Sequence, residues 1–143
     1  CTYCTGKTHY EWNHTINKSR LLRNMLGIER LKEKAKKIGT IVGISLKEKD
    51  RAGIAHRVLV HGSRNNISFT CNEFKMALEG NAKSNAFVVK KQEDNIVVHG
   101  YGYGHNTGLC QIGARELVKR GWEYEDILDF YFPKTRLMRL KVI

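Results

Sequence analysis

The sequence predicts an α+β fold in which antiparallel strands are combined with short helices. Two observations predict it: segments with apolar residues three or four positions apart alternate with short β-branched runs, and short polar connections join successive runs. With 143 residues, 41% of them hydrophobic, and no repeat or linker, we predict one domain over residues 1–143.

Helices are expected first. From Asn17 to Ile38 apolar residues recur at steps of three and four, and Gly27 predicts a break, so two helical pieces are expected. Residues 40–46 and 54–60 are β-branched runs that favour an antiparallel hairpin, with a third strand at 66–69.

A short helix is predicted after Thr70, because Thr70 and Glu73 have the spacing of a capping box and Gly80 supplies a stop. Its buried face would contain Phe74, Ala77 and Leu78. Residues 86–90 and 96–99 alternate around a turn and predict a second hairpin, followed by helices over 109–120 and 124–132.

The chain is strongly basic, with 25 lysines and arginines, 14 acids and a net charge of +11. This charge favours polyanionic surroundings such as nucleic acid, acidic lipid or anionic wall polymers. Eleven basic residues and only four acids lie between Lys18 and Arg51. A solvated helical face explains them, and no aromatic platform is interleaved, so we predict no nucleic-acid partner. No apolar run has the length of a membrane span.

The N-terminal residues suggest a metal site. Cys1 and Cys4 form a Cys-x-x-Cys pair, and with His9 they have a spacing that suits a tetrahedral zinc ion. A fourth ligand would come from upstream sequence, from His14 or from water, and a redox-active or fortuitous cysteine pair is the alternative. The initial cysteine also allows a mature lipoprotein, although we expect a fragment.

A glycine-rich segment over residues 100–114 is the densest unusual feature, with five glycines in fifteen residues. It lacks the Gly-Lys-Ser/Thr of a phosphate loop, and Thr107 replaces the third glycine of a dinucleotide fingerprint. It would present Tyr101, Tyr103 and His105 near a helix N-terminus, where an anion or a sugar oxygen is favoured. Alternatively, the tyrosines finish a strand and His105 is a turn residue.

Catalytic groups are less clear. Cys110 near a helix start could be a nucleophile with His105 as its base, or a small buried hydrophobic residue. No carboxylic acid stands out for glycosidic chemistry, since capping and surface ion pairing explain the acids of the predicted helices: Glu73, Glu116, Glu123, Glu125, Asp126 and Asp129.

The string Gly102-Tyr-Gly-His-Asn-Thr-Gly-Leu-Cys-Gln-Ile-Gly-Ala114 resembles the signature of the stage II sporulation protein D (SpoIID, LytB-type) family. As in that family, a helix, a glycine, an aromatic-acidic turn at 124–128 and an aromatic-proline segment at 130–133 follow. Weaker likenesses extend back to Tyr10, so the chain resembles the C-terminal part of the family's domain. Two departures are Asn106-Thr107 for Gly-Val and Lys134 for glycine.

The resemblance implies a peptidoglycan lytic transglycosylase acting on glycan strands without stem peptides, or alternatively a non-catalytic glycan-binding or amidase-enhancing module. The family's proposed catalytic glutamate would lie upstream of this chain. It would protonate the glycosidic oxygen while the sugar's C6 hydroxyl closes an anhydro ring. The substrate-binding candidates are Tyr101, Tyr103, His105, Cys110 and Gln111.

The resemblance also bears on cofactor, partners and location. Zinc bound near the junction of the two parts of the family's domain supports Cys1 and Cys4 as ligands, with His9 as a weaker candidate. Glycan strands of peptidoglycan are the implied partner, together with a wall amidase or other divisome or envelope proteins. The implied location is extracytoplasmic, in the periplasm or the cell envelope.

Overall fold

The predicted α+β class is confirmed by a computed structural model, which describes residues 10–51, 54–104 and 108–138. Within these residues the elements are β1 (Glu11–Asn17), α1 (Lys18–Gly27), α2 (Glu29–Ala35), β2 (Ile41–Lys49), β3 (Ala55–Gly62), β4 (Ile67–Thr70), α3 (Cys71–Met76), β5 (Phe87–Gln92), β6 (Asn95–Tyr101), α4 (Gln111–Lys119) and α5 (Tyr124–Tyr131).

The strands form two three-stranded antiparallel sheets. One has the order β1-β6-β5, and the other has the order β2-β3-β4. Both predicted hairpins are present, as β2-β3 and β5-β6. The pairing of β1 with β6 joins residues about 80 to 90 positions apart, from Asn17 opposite Asn95 to Glu11 opposite Tyr101.

Strand β1 was not predicted, although its pattern is that of a strand. Trp12 and Ile16 are buried and the residues between them alternate in exposure. This period of two places the large apolar side chains on one face of the sheet. Asn17 then ends the strand and caps α1, its side chain accepting a hydrogen bond of 2.9 Å from the Ser19 amide.

The break and the cap that the sequence predicts for the helices are both present. Helix α1 ends at Gly27 and α2 begins at Glu29, so the predicted break is confirmed. Thr70 forms the predicted capping box with Glu73 at the start of α3. That helix ends at Met76, before the predicted stop at Gly80, which has a positive φ of 74°.

Residues 8–105 form one compact unit with a continuous apolar core. Phe74 stacks on Phe87 with ring centroids 6.1 Å apart, and Trp12 meets the same ring at 6.2 Å. The core also contains fully buried side chains from helices α1 and α2 and from β3, β4 and β6: Leu21, Met25, Leu31, Val58, Val60, Phe69, Ile96 and Val98.

Residues 1–7 and 106–143 form a second compact unit, of which α4 and α5 are described. Among its described residues, the buried apolar side chains are Leu117 of α4 and Ile127 of α5. The interpretation of residues 1–143 as one domain stays a prediction. No helix in the described ranges combines the length and hydrophobicity needed to cross a bilayer.

Candidate functional site

The glycine-rich segment leaves the sheet at the end of β6. Gly102, Gly104 and Gly108 have φ angles of 72°, 89° and 78°, a region that side chains disfavour, so these glycines are required by the path of the backbone. His105, Asn106 and Thr107 lie outside the described residues. The predicted sugar-binding role of His105 and its pairing with Cys110 therefore stay predictions.

Backbone hydrogen bonds hold the start of this segment against the rest of the unit. The Gly102 amide donates to the Tyr10 carbonyl at 2.5 Å, and the Gly104 amide donates to the Lys83 carbonyl at 2.7 Å. Gly104 also forms an isolated parallel bridge with Ser84. The loop is thereby tied to two other chain segments before residue 105.

Ser84 and Trp12 form a buried anchor beneath the loop. The Ser84 side chain, which is completely buried, donates to the Tyr101 carbonyl at 2.6 Å and accepts from the Trp12 indole N–H at 3.2 Å. The Trp12 ring lies against Gly100, where a Cβ atom would be 2.1 Å from its Cε2 and Cζ2 atoms. Gly100 is therefore required by close approach of the ring.

Two tyrosines are exposed at this anchored position. Tyr101 is 38% exposed and Tyr103 is 61% exposed, so neither is buried in the core. The centroid of the Tyr101 ring lies 5.9 Å from that of Tyr10 and 4.7 Å from that of His99, whose ring is nearly perpendicular to it. Tyr101 does finish strand β6, as the structural alternative proposed, but it does so with its ring accessible.

A polar cluster continues from Tyr101 across the sheet. His99 Nδ1 lies 2.5 Å from Asn13 Oδ1, within hydrogen-bonding distance. His99 Nε2 lies 3.9 Å from a Glu11 carboxylate oxygen. These side chains, with the Tyr101 ring beside them, offer hydrogen-bond donors and acceptors of the kind that sugar hydroxyls use.

Cys110 and Gln111 lie in the second unit, at the start of α4. Cys110 is the N-cap residue, and its Sγ accepts from the Gly113 amide at 3.4 Å. It is half-buried, while Gln111 is exposed. The Cys110 side chain thus has a structural task as a helix cap.

Glu73 caps α3, as expected, but it is buried and its ion pair is not at the surface. Its carboxylate accepts hydrogen bonds from the Thr70 amide at 2.7 Å and from the Lys34 ammonium at 3.0 Å. Burial alone would raise the pKa of Glu73, but the Thr70 and Lys34 contacts outweigh it and lower the pKa. Glu73 is therefore held ionised and is unsuited to donate a proton near neutral pH.

The proposed zinc ligands Cys1, Cys4 and His9 lie outside the described residues. The described ranges hold no group of three metal-binding side chains. His14, the suggested fourth ligand, is on β1, and its Nε2 is buried without a hydrogen-bond partner among the residues that the structure describes. Burial lowers the pKa of His14. The charge of Glu79 acts to raise this pKa, and the charge of Arg20 acts to lower it.

A family model described as a domain of unknown function (DUF8618) matches residues 3–108. The chain belongs to this family. The DUF8618 region contains both sheets and the loop that bears Tyr101 and Tyr103.

A comparison with individual proteins finds that the chain is also similar to parts of three bacterial proteins. An amidase enhancer of Bacillus subtilis is 42% identical over 38% of this chain and 8% of that protein, and stage II sporulation protein D of the same organism is 35% identical over 36% and 15%. An uncharacterized protein of Brachyspira hyodysenteriae is 34% identical over 47% and 18%. The matches span less than a fifth of each relative. The chain is thus distantly related, over about 40% of its length, to cell-wall proteins of the SpoIID and LytB type.

Sequence reasoning identified the tyrosines but missed what supports them. Trp12, Ser84 and the cluster of Glu11, Asn13 and His99 were not assigned to the site. The alternation along β1 was the available signal, because it separates the inward Trp12 from the outward Glu11 and Asn13. The pairing of that strand with β6 is non-local, and no spacing in the sequence reveals it.

Proposed function

We propose that this chain is the glycan-contacting, C-terminal part of a SpoIID-type peptidoglycan lytic transglycosylase that acts outside the cytoplasm on strands lacking stem peptides. The observation that carries the proposal is the loop that exposes Tyr101 and Tyr103 while its backbone is tied to a buried anchor. Such a loop loses little conformational freedom when a ligand binds, and aromatic rings offer large rigid surfaces to a sugar ring. The distant relationship to the two Bacillus subtilis proteins supports wall glycan as the ligand.

The catalytic acid is proposed to lie upstream of Cys1. Glu73 is held ionised, and the Glu11 side chain is 60% exposed rather than enclosed in an apolar cleft. An upstream glutamate would donate its proton to the glycosidic oxygen as the C6 hydroxyl oxygen bonds to the anomeric carbon. The C6 hydroxyl proton then passes to the carboxylate, so the acid is regenerated without consuming water.

The proposed roles of the remaining candidates follow from their chemistry. Tyr101 and Tyr103 would contact sugar faces, with the neighbouring polar cluster hydrogen-bonding hydroxyl groups. His105 and Gln111 are proposed to bind or polarise the sugar at the scissile bond. Zinc held by Cys1, Cys4 and His9, and contact with a wall amidase or another envelope protein, are further parts of the proposal.

The second candidate function is a non-catalytic module that binds glycan and enhances an amidase. It is favoured by the described carboxylates, since neither Glu11 nor Glu73 has the properties of a general acid. It requires the same tyrosine surface but no proton donor. The two functions therefore predict the same binding and different products.

The test uses the full-length protein with purified glycan strands, intact or stripped of peptides, and combines pull-down with mass spectrometry. Anhydro-sugar ends support the transglycosylase, whereas retention without cleavage supports the module. The double variant Tyr101→Ala/Tyr103→Ala should lose about tenfold in affinity for stripped strands, from roughly 0.7 kcal/mol per ring. Tyr124→Ala, an exposed tyrosine on α5, is the matched control. If the unmodified protein shows neither retention nor cleavage, both functions are refuted.

A further inference from the structure

An open groove of ≈ 530 Å³ lies in the unit of residues 8–105, at the end of β1 opposite residues 101–104, which we call the tyrosine loop. Leu22, Leu26 and Ile41 supply its apolar lining, and Lys18, Arg23 and Asp94 supply its charges. Strand β1 has seven residues, so its ends are about 20 Å apart at the usual rise of a strand. A polymer of several sugar units is long enough to contact both ends.

Lys18 and Arg23 are both cations of the groove, and Arg23 is the one whose guanidinium has no partner within the described residues. The Lys18 ammonium group donates a hydrogen bond to the Glu93 carbonyl. Within the described residues, the Arg23 side chain forms no ion pair or hydrogen bond. This contrasts with Arg20 on the same helix, which forms a two-pronged pair with Glu79 at 2.8 and 3.0 Å. An exposed guanidinium beside an apolar lining suits a carboxylate carried on a sugar ring.

We propose that this groove is a second, distal subsite for the glycan strand, in which Arg23 binds the carboxylate of an acidic sugar. The inference rests on the proposed function, and it names the acidic group by which the strand is held. When a stem peptide is absent, the lactyl group that carried it ends in a free carboxylate, so a stripped strand bears one negative charge per disaccharide. An attached peptide converts that carboxylate to an amide and removes the charge from this position.

The charge pattern of the groove favours this occupant over a phosphodiester polymer. Asp94 lies in the groove beside the two cations, so one net positive charge remains there, which matches one carboxylate per disaccharide better than the denser charge of a phosphodiester polymer. Asp94 can also accept hydrogen bonds from sugar hydroxyls. The apolar side chains Leu22, Leu26 and Ile41 suit the carbon-rich faces of sugars, and among the described lining residues no aromatic ring is available to stack a nucleobase.

The test measures the affinity of full-length protein for fluorescent glycan strands by anisotropy at several salt concentrations. Arg23→Gln should weaken binding of long stripped strands roughly fivefold, reduce the salt dependence and leave binding of a disaccharide unchanged. Methyl esterification of the lactyl carboxylates should produce the same loss, and the two changes together should lose no more than either alone. Arg30→Gln is the control, because Arg30 is exposed on α2 and does not line the groove.

Three outcomes would overturn the subsite. These are unchanged affinity in Arg23→Gln, an equal loss in Arg30→Gln, or tighter Arg23-dependent binding of poly(glycerol phosphate) than of the stripped strand. The Tyr101→Ala/Tyr103→Ala variant separates this result from the parent proposal. If it weakens disaccharide binding while Arg23→Gln changes nothing, the distal subsite fails and the glycan-binding function stands.

Discussion

Replacing Gly100 by alanine should destabilise the anchor beneath the tyrosine loop. The new Cβ atom would lie 2.1 Å from two ring atoms of Trp12 and 2.7 Å from Nε1, whereas ordinary contact begins at 3.4 Å. The ring must therefore move by more than about 1 Å, at a typical overpacking cost of about 1–3 kcal/mol. Loss of the buried Trp12–Ser84 hydrogen bond adds about 1 kcal/mol, so we expect a total of about 2–4 kcal/mol.

Urea denaturation followed by far-ultraviolet circular dichroism measures this change in the free energy of unfolding. At a denaturant slope of about 2 kcal/mol/M, the midpoint of Gly100→Ala should fall by about 1–2 M. The control is Gly27→Ala, because nothing lies within 4 Å of the added Cβ at the end of α1. We expect this control to change stability by less than about 1 kcal/mol. A Gly100→Ala protein as stable as the original would refute the close contact between Trp12 and the strand.

Three other predictions concern ionisable groups in residues 8–105. Glu73→Gln should lower the free energy of unfolding by about 1–2 kcal/mol, because it removes the Lys34 ion pair and weakens the Thr70 cap. Urea midpoints test this, with Glu29→Gln as the control. Glu29 forms an exposed ion pair, so its loss should cost under about 0.5 kcal/mol. Burial lowers the pKa of His14 below 6.5 in the folded chain. As the pH drops through about 6.5, the unfolded chain therefore binds a proton at His14 that the folded chain does not. This binding favours the unfolded chain, so stability should fall. Midpoints measured from pH 8 to 5 should show this decline, and an equal decline in His14→Gln would contradict it. Burial raises the pKa of the Cys71 thiol to about 11, so iodoacetamide at pH 8 should modify it only in denaturant, as peptide mass spectrometry can show; rapid native labelling would count against the buried position.

Local signals in the sequence predicted much of the fold. The Thr70–Glu73 spacing and the break at Gly27 each depend on a few neighbouring residues, and both are present in the structure. The burial of Glu73 was not predictable in this way. Its partner Lys34 is 39 positions away, and their contact depends on how α2 packs near α3.

The candidate site was predictable to a similar extent. Glycine density indicated a loop with unusual backbone angles, and Gly102 and Gly104 have them. The anchor was not predictable, because Trp12 and Ser84 are 72 positions apart and meet only through the pairing of β1 with β6. Sequence patterns specify which residues face inward, but distant partners are selected by tertiary packing.

The pairing of β1 with β6 also has a consequence for folding kinetics. Strands β2, β3 and β4 are neighbours in sequence and can pair early. Strand β1 can pair only with residues about 80 to 90 positions away in the sequence. Closing so long a loop has a high entropic cost, so we expect β1 to join after the transition state. Destabilising substitutions in β1 should then accelerate unfolding and leave the refolding rate nearly unchanged. The tyrosine loop, which is held through Trp12, would be among the last parts of this unit to acquire its final shape.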